Sequence, residues 1–408
     1  MKNIIIKYYE YLFCFLIFFL PLEGELRVVP NIILILLGSL YFFVIKKTDF
    51  KPCKNSIFIT FLAFLGYLII NILWTQSLIE NIFIVEKLLI IIVIYLLYLP
   101  ININLNVKFS FILGVLVAIL ISVFNICGYI LKTSDFNFSE GGIVTEVLIT
   151  ERIYLALMAV LSFVFSLDLI RTSNKTKKAF LIANCIMVVF FILLVSARMA
   201  LLSLVFIGIY NLIILRKYKI LLVGIVLSSV VLSASFMLNE NLKHRFLYNN
   251  KQSTFIENFK KWEPRVEIWS CVYTIFNEQS ITEKVFGYGS FKRTNRALEN
   301  CYSTSIEDLT KRKWFLKTKY NTHNQFFDVL ISIGFIGCSL FTVFLIVSLY
   351  RNRKDRINVS IILTFIFVFL VENCFHRQVG VYLFAMVLIL ISRNPEAVRC
   401  LNCHNEEN

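Results

Sequence analysis

One histidine and two arginines have side chains that could transfer a proton and bind an anion. His323 stands just before a long apolar run, and Thr322 and Gln325 have the spacing of a capping box. This spacing predicts that His323 lies in the first turn of the helix that follows. A helix N-terminus disfavours the imidazolium form, so a neutral imidazole there could act as a general base. The alternative is an interfacial histidine that only hydrogen-bonds to loop backbone.

The two arginines are Arg198 and Arg265. Arg198 lies in a tight turn between two apolar runs, and Arg265 stands at the start of an amphipathic stretch, where a cation opposes the helix dipole. Guanidinium groups bind phosphate through paired hydrogen bonds and need no metal ion for it. The alternatives are an anchoring arginine and a solvated charge. Arg152 and Arg377 are further candidates of the same kind.

The sequence gives no sign of a metal or nucleotide site. The outer segments contain no Asp-x-Asp pair and no cluster of His and Cys at zinc spacing, and no glycine-rich nucleotide loop appears. We therefore expect no metal ion and no cofactor, and any phosphate would be neutralised by arginine.

The elements that must position these residues are membrane helices. Hydrophobic residues make up 58% of the 408, mean hydropathy is +0.76 and only 16% are charged, whereas a soluble domain carries roughly a quarter charged residues. The apolar residues form runs that match the thickness of a bilayer, where helices satisfy their own backbone groups. The predicted fold is all-α and polytopic, with about twelve spans at 9–22, 28–45, 57–74, 82–99, 109–131, 153–170, 179–195, 199–215, 219–237, 325–350, 358–372 and 379–392.

The basic residues predict how these spans are oriented. With a cytoplasmic N-terminus and alternating connections, the cytoplasmic segments hold 20 Lys and Arg and the short outer connections hold 5. This is the distribution of the positive-inside rule, so we expect both termini in the cytoplasm. The net charge of +15 then reflects topology. Because the basic residues are scattered over seven segments, nucleic acid is a poor candidate for a partner.

One connection, 238–324, is far longer than the others and lies on the outer side. It contains 15 basic and 9 acidic residues, and its two cysteines, Cys271 and Cys301, could form a disulfide. Pro264 begins a stretch that we interpret as an amphipathic surface helix, with an apolar stripe at Val266, Trp269, Tyr273 and Phe276. The predicted organisation is helices 1–9 in 1–237, the large loop in 238–324, helices 10–12 in 325–392 and a cytoplasmic tail in 393–408.

Taken together, several short motifs resemble the O-antigen ligase and polymerase superfamily, which consists of multi-span glycosyltransferases of the C-type architecture. The resemblance covers roughly 180–345. Its motifs are Ser196-x-Arg198, Arg265-Val266-Glu267-Ile268-Trp269, Phe286-Gly287-Tyr288-Gly289, His323-Asn324-Gln325-Phe326-Phe327 and Gly334-Phe335-Ile336-Gly337. Many members have Ser and Arg adjacent, whereas Ala197 separates them here.

The resemblance implies a glycosyltransferase of the bacterial inner membrane whose active face is periplasmic. The donor would be a glycan on undecaprenyl diphosphate, and the acceptor a hydroxyl of the lipid A core or of a growing glycan. It assigns the proton transfer to His323 and diphosphate binding to Arg198 and Arg265. Asn324, Arg152 and Arg377 are possible supporting residues. The expected reaction inverts the anomeric carbon and uses no metal ion.

Three other functions stay open from the sequence. A ligase and a polymerase differ in the acceptor, which the residues do not state, and we favour the ligase because there is no second long outer loop. Twelve spans with both termini inside are also common in transporters and flippases. The polar candidates gather at one face, however, and no internal repeat is visible, so chemistry is favoured over translocation. An accessory membrane subunit is the third alternative.

Overall fold

The computed structural model describes residues 2–101, 104–133, 147–219, 224, 233 and 263–392. Throughout these ranges the regular structure is helical, which confirms the all-α fold class. The predicted ninth span falls almost entirely outside the described residues. So do residues 238–262 of the large loop and the tail from residue 393.

The α-helices of the described ranges follow one another along the chain with short connections. Their bounds are α1 Lys2–Phe19, α2 Val28–Val44, α3 Ser56–Trp74, α4 Leu78–Tyr98, α5 Asn104–Thr133, α6 Arg152–Leu169, α7 Lys175–Leu194, α8 Arg198–Ile214, α9 Pro264–Glu278, α10 Ile281–Phe286, α11 Phe291–Ser305, α12 Leu309–Thr318, α13 Gln325–Asn352, α14 Arg356–Phe369 and α15 Gln378–Ser392. Short 3₁₀ segments lie at Leu20–Leu22, Lys47–Lys54 and Cys374–His376.

Seven of the described helices are long and apolar enough to cross a membrane. The number rises to eight if α2 and the 3₁₀ segment after it, which meet at a bend of 116°, count as one span. The helices α8, α14 and α15 have 17, 14 and 15 residues, and a helix of 15 residues is only about 22 Å long. Eleven of the twelve predicted spans coincide with a described helix, whereas the exact number of crossings stays a prediction.

The short helix α15 lies inside the bundle. From Val379 onward every residue of α15 is buried, so this helix is surrounded by protein and is not required to match the bilayer in length. Phenylalanine rings pack edge to face around it, including Phe341 of α13 on Phe369 of α14 at 5.3 Å and Phe375 on Phe384 of α15 at 5.1 Å between centroids. This aromatic cluster lies beneath residues 370–377, the α14–α15 connection, and supports it.

The helices α9 to α12 form a second apolar core beside the bundle. The buried face of α9 consists of Ile268, Cys271, Val272 and Ile275, and a disulfide joins Cys271 to Cys301 of α11. Pro264 occupies the first turn of α9, as predicted. The predicted apolar stripe was wrong in part, because Tyr273 is 69% exposed. The helix turns a neighbouring face to the core, since the side chains of α11 and α13 pack there.

A break in α13 attaches this second core to the bundle. Gly334 has a φ of +74°, and the turn before it offers its carbonyl groups to another segment. Tyr288 N–H donates to Ile331 O at 3.0 Å and Gly289 N–H donates to Ser332 O at 2.8 Å. A Cβ on Gly334 would lie 2.2 Å from Val285 O. Position 334 therefore needs glycine both for its left-handed backbone conformation and for the close approach of Val285 O.

We expect Gly334→Ala to destabilise the protein by at least about 2 kcal/mol, because a side chain there costs both left-handed strain and a clash with backbone. The measurement is the melting temperature of the purified protein in detergent. Gly38→Ala is the matched control, since a Cβ at Gly38 of α2 meets nothing within 4 Å. Equal melting temperatures for the two variants would contradict this account of the α13 break.

Candidate active site

His323 lies in a turn between α12 and α13. Its φ is +43°, and its backbone N–H donates to Asn321 Oδ1 at 3.0 Å. The helix begins at Gln325, and Asn324 is its N-cap, accepting from Phe326 N and Phe327 N. The predicted capping box with His323 in the first helical turn was therefore wrong. Asparagine is the stronger N-cap, and it stands two residues after Thr322.

The α14–α15 connection holds this turn in place through hydrogen bonds. Asn373 Oδ1 accepts from Asn324 N at 2.7 Å, and Asn324 Nδ2 donates to Leu370 O at 3.0 Å. One residue further along, Gln325 Oε1 accepts from Phe375 N at 3.1 Å. These bonds join two segments almost 50 residues apart in the chain. Because the participating groups are buried, each satisfies a backbone or amide group that would otherwise be costly to leave unpaired.

Within this frame, His323 faces a buried carboxylate. His323 Nδ1 lies 3.2 Å from Glu372 Oε2, and the second oxygen, Oε1, accepts from Asn373 N at 3.1 Å. Burial raises the pKa of Glu372, but its hydrogen bond with His323, the His323 charge, the Asn373 amide and Arg265 together hold that pKa below its ordinary value. The contacts of Glu372 therefore stabilise the fold above the ordinary carboxyl pKa, and this contribution is lost as the pH falls through the lowered one.

The ionised Glu372 fixes the direction of the imidazole. A carboxylate accepts hydrogen bonds only, so it selects the form of His323 that carries a proton on Nδ1. In the neutral ring the lone pair is then on Nε2, at the opposite edge. The side chain of His323 is 23% exposed against 8% for Glu372, so a substrate can reach the ring but not the carboxylate. This arrangement is that of a general base with an orienting partner.

Both predicted arginines bind the same carboxylate, that of Glu263. Arg265 Nη1 lies 2.8 Å from Glu263 Oε1, and Arg198 Nη2 lies 3.4 Å from Glu263 Oε2. Glu263 is the N-cap of α9, yet its side chain makes no capping hydrogen bond. Its carboxylate is used instead to hold two guanidinium groups together. Arg198, which opens α8 after the left-handed Ser196, thus comes next to a helix 65 residues later in the chain.

Arg265 also contacts the connection that orients His323. Arg265 Nη2 donates to Val371 O at 3.2 Å, and Val371 is the residue before Glu372. A third donor, Arg265 Nε, is buried and has no hydrogen-bond partner. The structure therefore places a pair of guanidinium groups beside the His323–Glu372 pair and leaves one buried donor without an acceptor.

The supporting candidates lie at different distances from this centre. Asn324 is part of it as the cap that fixes His323. Arg377 forms an exposed ion pair with Glu151 at 3.1 Å. Arg152 opens α6, and its Nη1 atom is buried without a partner. Two residues along, Tyr154 is buried and its hydroxyl group has no hydrogen-bond partner.

Sequence reasoning missed the carboxylates of the site. Glu263 and Glu372 were not singled out, although Glu372 stands at the end of an apolar span, a position that favours function. A second histidine pair was missed as well, His376 Nε2 with the fully buried Asp328 Oδ2 at 2.7 Å. Across the described ranges, no three His, Cys, Asp or Glu side chains are arranged to hold a metal ion.

Part of the chain is similar to a known protein family. Residues 183–342 match the family model described as O-antigen ligase, a region that runs from α7 to the middle of α13. The matched region includes Arg198, Glu263, Arg265 and His323, whereas Glu372 lies after it. A comparison with curated proteins finds no match to the chain.

We expect Glu263→Ala to destabilise the protein by about 2–3 kcal/mol, because it leaves two largely buried guanidinium groups without their shared carboxylate. The readout is again the melting temperature in detergent. Glu299→Ala is the control in the same loop, since its pair with Lys319 is long, at 3.8 Å, and Lys319 is 68% exposed, so this pair should contribute less than about 1 kcal/mol. A Glu263→Ala protein as stable as Glu299→Ala would show that the arginines do not need this carboxylate.

Proposed function

We propose that the protein is an O-antigen ligase-like glycosyltransferase. It transfers a glycan from undecaprenyl diphosphate to a hydroxyl group of the lipid A core at the periplasmic face of the bacterial inner membrane. The family match supports the coarser assignment to ligase- or polymerase-like glycosyltransferases. The donor, the acceptor and the residue roles are our proposal.

One observation carries the proposal. The arginine pair and the histidine pair meet at adjacent residues, since Arg265 donates to Val371 O and Glu372 pairs with His323. A transferase acting on a glycosyl diphosphate needs an anion site for the leaving group and a base for the acceptor, both within reach of one anomeric carbon. The two pairs are candidates for these functions.

The arginines suit the diphosphate. Guanidinium groups are always charged and bind phosphate oxygens in a bidentate manner. In the structure two guanidinium groups converge on the carboxylate of Glu263, which brings two positive charges to one place. The buried Arg265 Nε, which lacks a partner, is a donor that a phosphate oxygen could satisfy. The same donors would stabilise the negative charge that develops as the diphosphate leaves.

The His323–Glu372 pair is suited to activate the acceptor hydroxyl. His323 Nε2 takes the proton of the attacking hydroxyl, and the hydroxyl oxygen forms a bond to the anomeric carbon. The bond from that carbon to the diphosphate oxygen breaks, and undecaprenyl diphosphate departs with the electron pair. Attack on the side opposite the leaving group inverts the anomeric carbon. Glu372 stabilises the imidazolium that forms, as an orienting carboxylate does in other base-catalysed transfers.

We expect His323→Ala to lower transfer by a factor of about 10²–10⁴, since the variant lacks the base. The assay uses the purified protein with undecaprenyl-linked glycan and lipid A core, and membrane insertion is checked by yield. His404→Ala, in the tail, is the control that removes a histidine far along the chain from the site. Transfer at the wild-type rate would remove His323 from the mechanism.

Arg265→Lys should raise the KM for the donor and lower kcat, together about tenfold or more in kcat/KM, because an ammonium group cannot reproduce the guanidinium fork. Arg293→Lys is the matched control in the same loop, where the arginine is 55% exposed and pairs with Glu283. We expect its kinetics to stay at wild-type values. An unchanged donor KM for Arg265→Lys would place the diphosphate elsewhere.

A further inference from the structure

Two aromatic rings lead from the surface of α12 to His323. The Trp314 and Tyr320 centroids are 5.3 Å apart, and the Tyr320 and His323 centroids are 5.5 Å apart. We call Trp314 and Tyr320 the aromatic row. Neither residue has a role in the glycan transfer proposed above.

Phe315 and Tyr302 hold the aromatic row in place. The buried ring of Phe315 packs edge to face on Trp314 at 5.4 Å and on Tyr320 at 5.1 Å. Tyr302 Oη donates to Tyr320 O at 3.2 Å, which fixes the backbone where the row bends towards His323. Rings with this support lose little conformational entropy when a ligand packs on them.

The outer end of the row is open. Trp314 is 46% exposed, although tryptophan is a large apolar side chain that interiors and interfaces normally cover. At its inner end, Tyr320 packs against His323. The row therefore runs from solvent to the histidine pair.

We propose that the aromatic row is a saccharide subsite that binds a pyranose ring on the face of Trp314. One face of a pyranose consists of C–H groups and packs on an aromatic ring, while its hydroxyl groups stay in water at the edge. A ring seated there belongs to a saccharide whose next unit lies beside His323. The inference rests on the proposed function, because it assigns part of a transferase substrate to this surface.

The test measures the KM for each substrate with the purified full-length protein. The donor is undecaprenyl-linked glycan and the acceptor is lipid A core, both extracted from a strain that lacks the protein. Trp314→Ala should raise the KM for one of them about five- to tenfold, the value of one aromatic contact, with kcat within about twofold. A raised donor KM identifies the occupant as the donor glycan, and a raised acceptor KM identifies it as the core saccharide.

Two further variants separate stacking from other roles. Trp314→Phe keeps an aromatic ring and should recover most of the affinity, whereas Trp314→Leu keeps only apolar bulk and should not. Full recovery by Trp314→Leu would overturn the proposal in favour of a lipid-anchoring residue. Tyr273→Ala removes an exposed aromatic residue of α9 outside the row and should leave both KM values unchanged. Unchanged KM values for Trp314→Ala would also overturn the proposal.

A binding measurement keeps this inference distinct from the proposed function. The probe is the oligosaccharide released from the donor by mild acid, and binding is measured by thermophoresis. If the wild-type protein binds it and Trp314→Ala binds it at least fivefold more weakly, the subsite stands even when no transfer occurs. If transfer occurs and the Trp314→Ala protein binds and reacts like wild type, the subsite is refuted and the proposed function stands.

Discussion

The site depends on the hydrogen bonds between the His323 turn and the α14–α15 connection. His323 precedes α13 and has a left-handed backbone, so no helix determines its position. Hydrogen bonds determine it instead. Asn324 N–H donates to Asn373 Oδ1, and Asn324 Nδ2 donates to Leu370 O at the end of α14. The bonds are buried and mutually supporting, which makes them stronger than isolated bonds at a surface. Through them the phenylalanine cluster below, built by α13, α14 and α15, fixes the direction of one imidazole ring.

Several residues near this turn have a locally unfavourable backbone conformation or lack a local hydrogen bond. Glu263 stands at an N-cap position without capping, His323 has a positive φ, and α13 is broken at Gly334. Each feature carries a cost that is offset by tertiary contacts. Such departures are expected to cluster where a protein acts on a ligand. Here they lie in the region that matches the O-antigen ligase model, close to two guanidinium groups and His323.

The helices could be predicted from the sequence, because hydropathy acts locally along the chain. His323, Arg198 and Arg265 were singled out by residue type and position, and their roles stay predictions. The partners of these residues could not. Glu372 lies 49 residues after His323, and no periodicity connects the two. The predicted cap failed because Thr322 and Asn324 both suit that position, and only the contacts of Asn324 with Leu370 decide between them. The stripe on α9 was displaced for the same reason, since the packing of α11 selected another face.

The most direct test of lipid-linked glycan transfer is a gel of lipopolysaccharide from a strain that lacks this protein, run beside its extracted undecaprenyl-linked glycan. The account predicts bare lipid A core and long glycan that accumulates on the carrier. Core that bears a single repeat unit would instead identify a polymerase built on the same site. An unchanged pattern in both fractions would contradict lipid-linked glycan transfer and favour the transporter alternative.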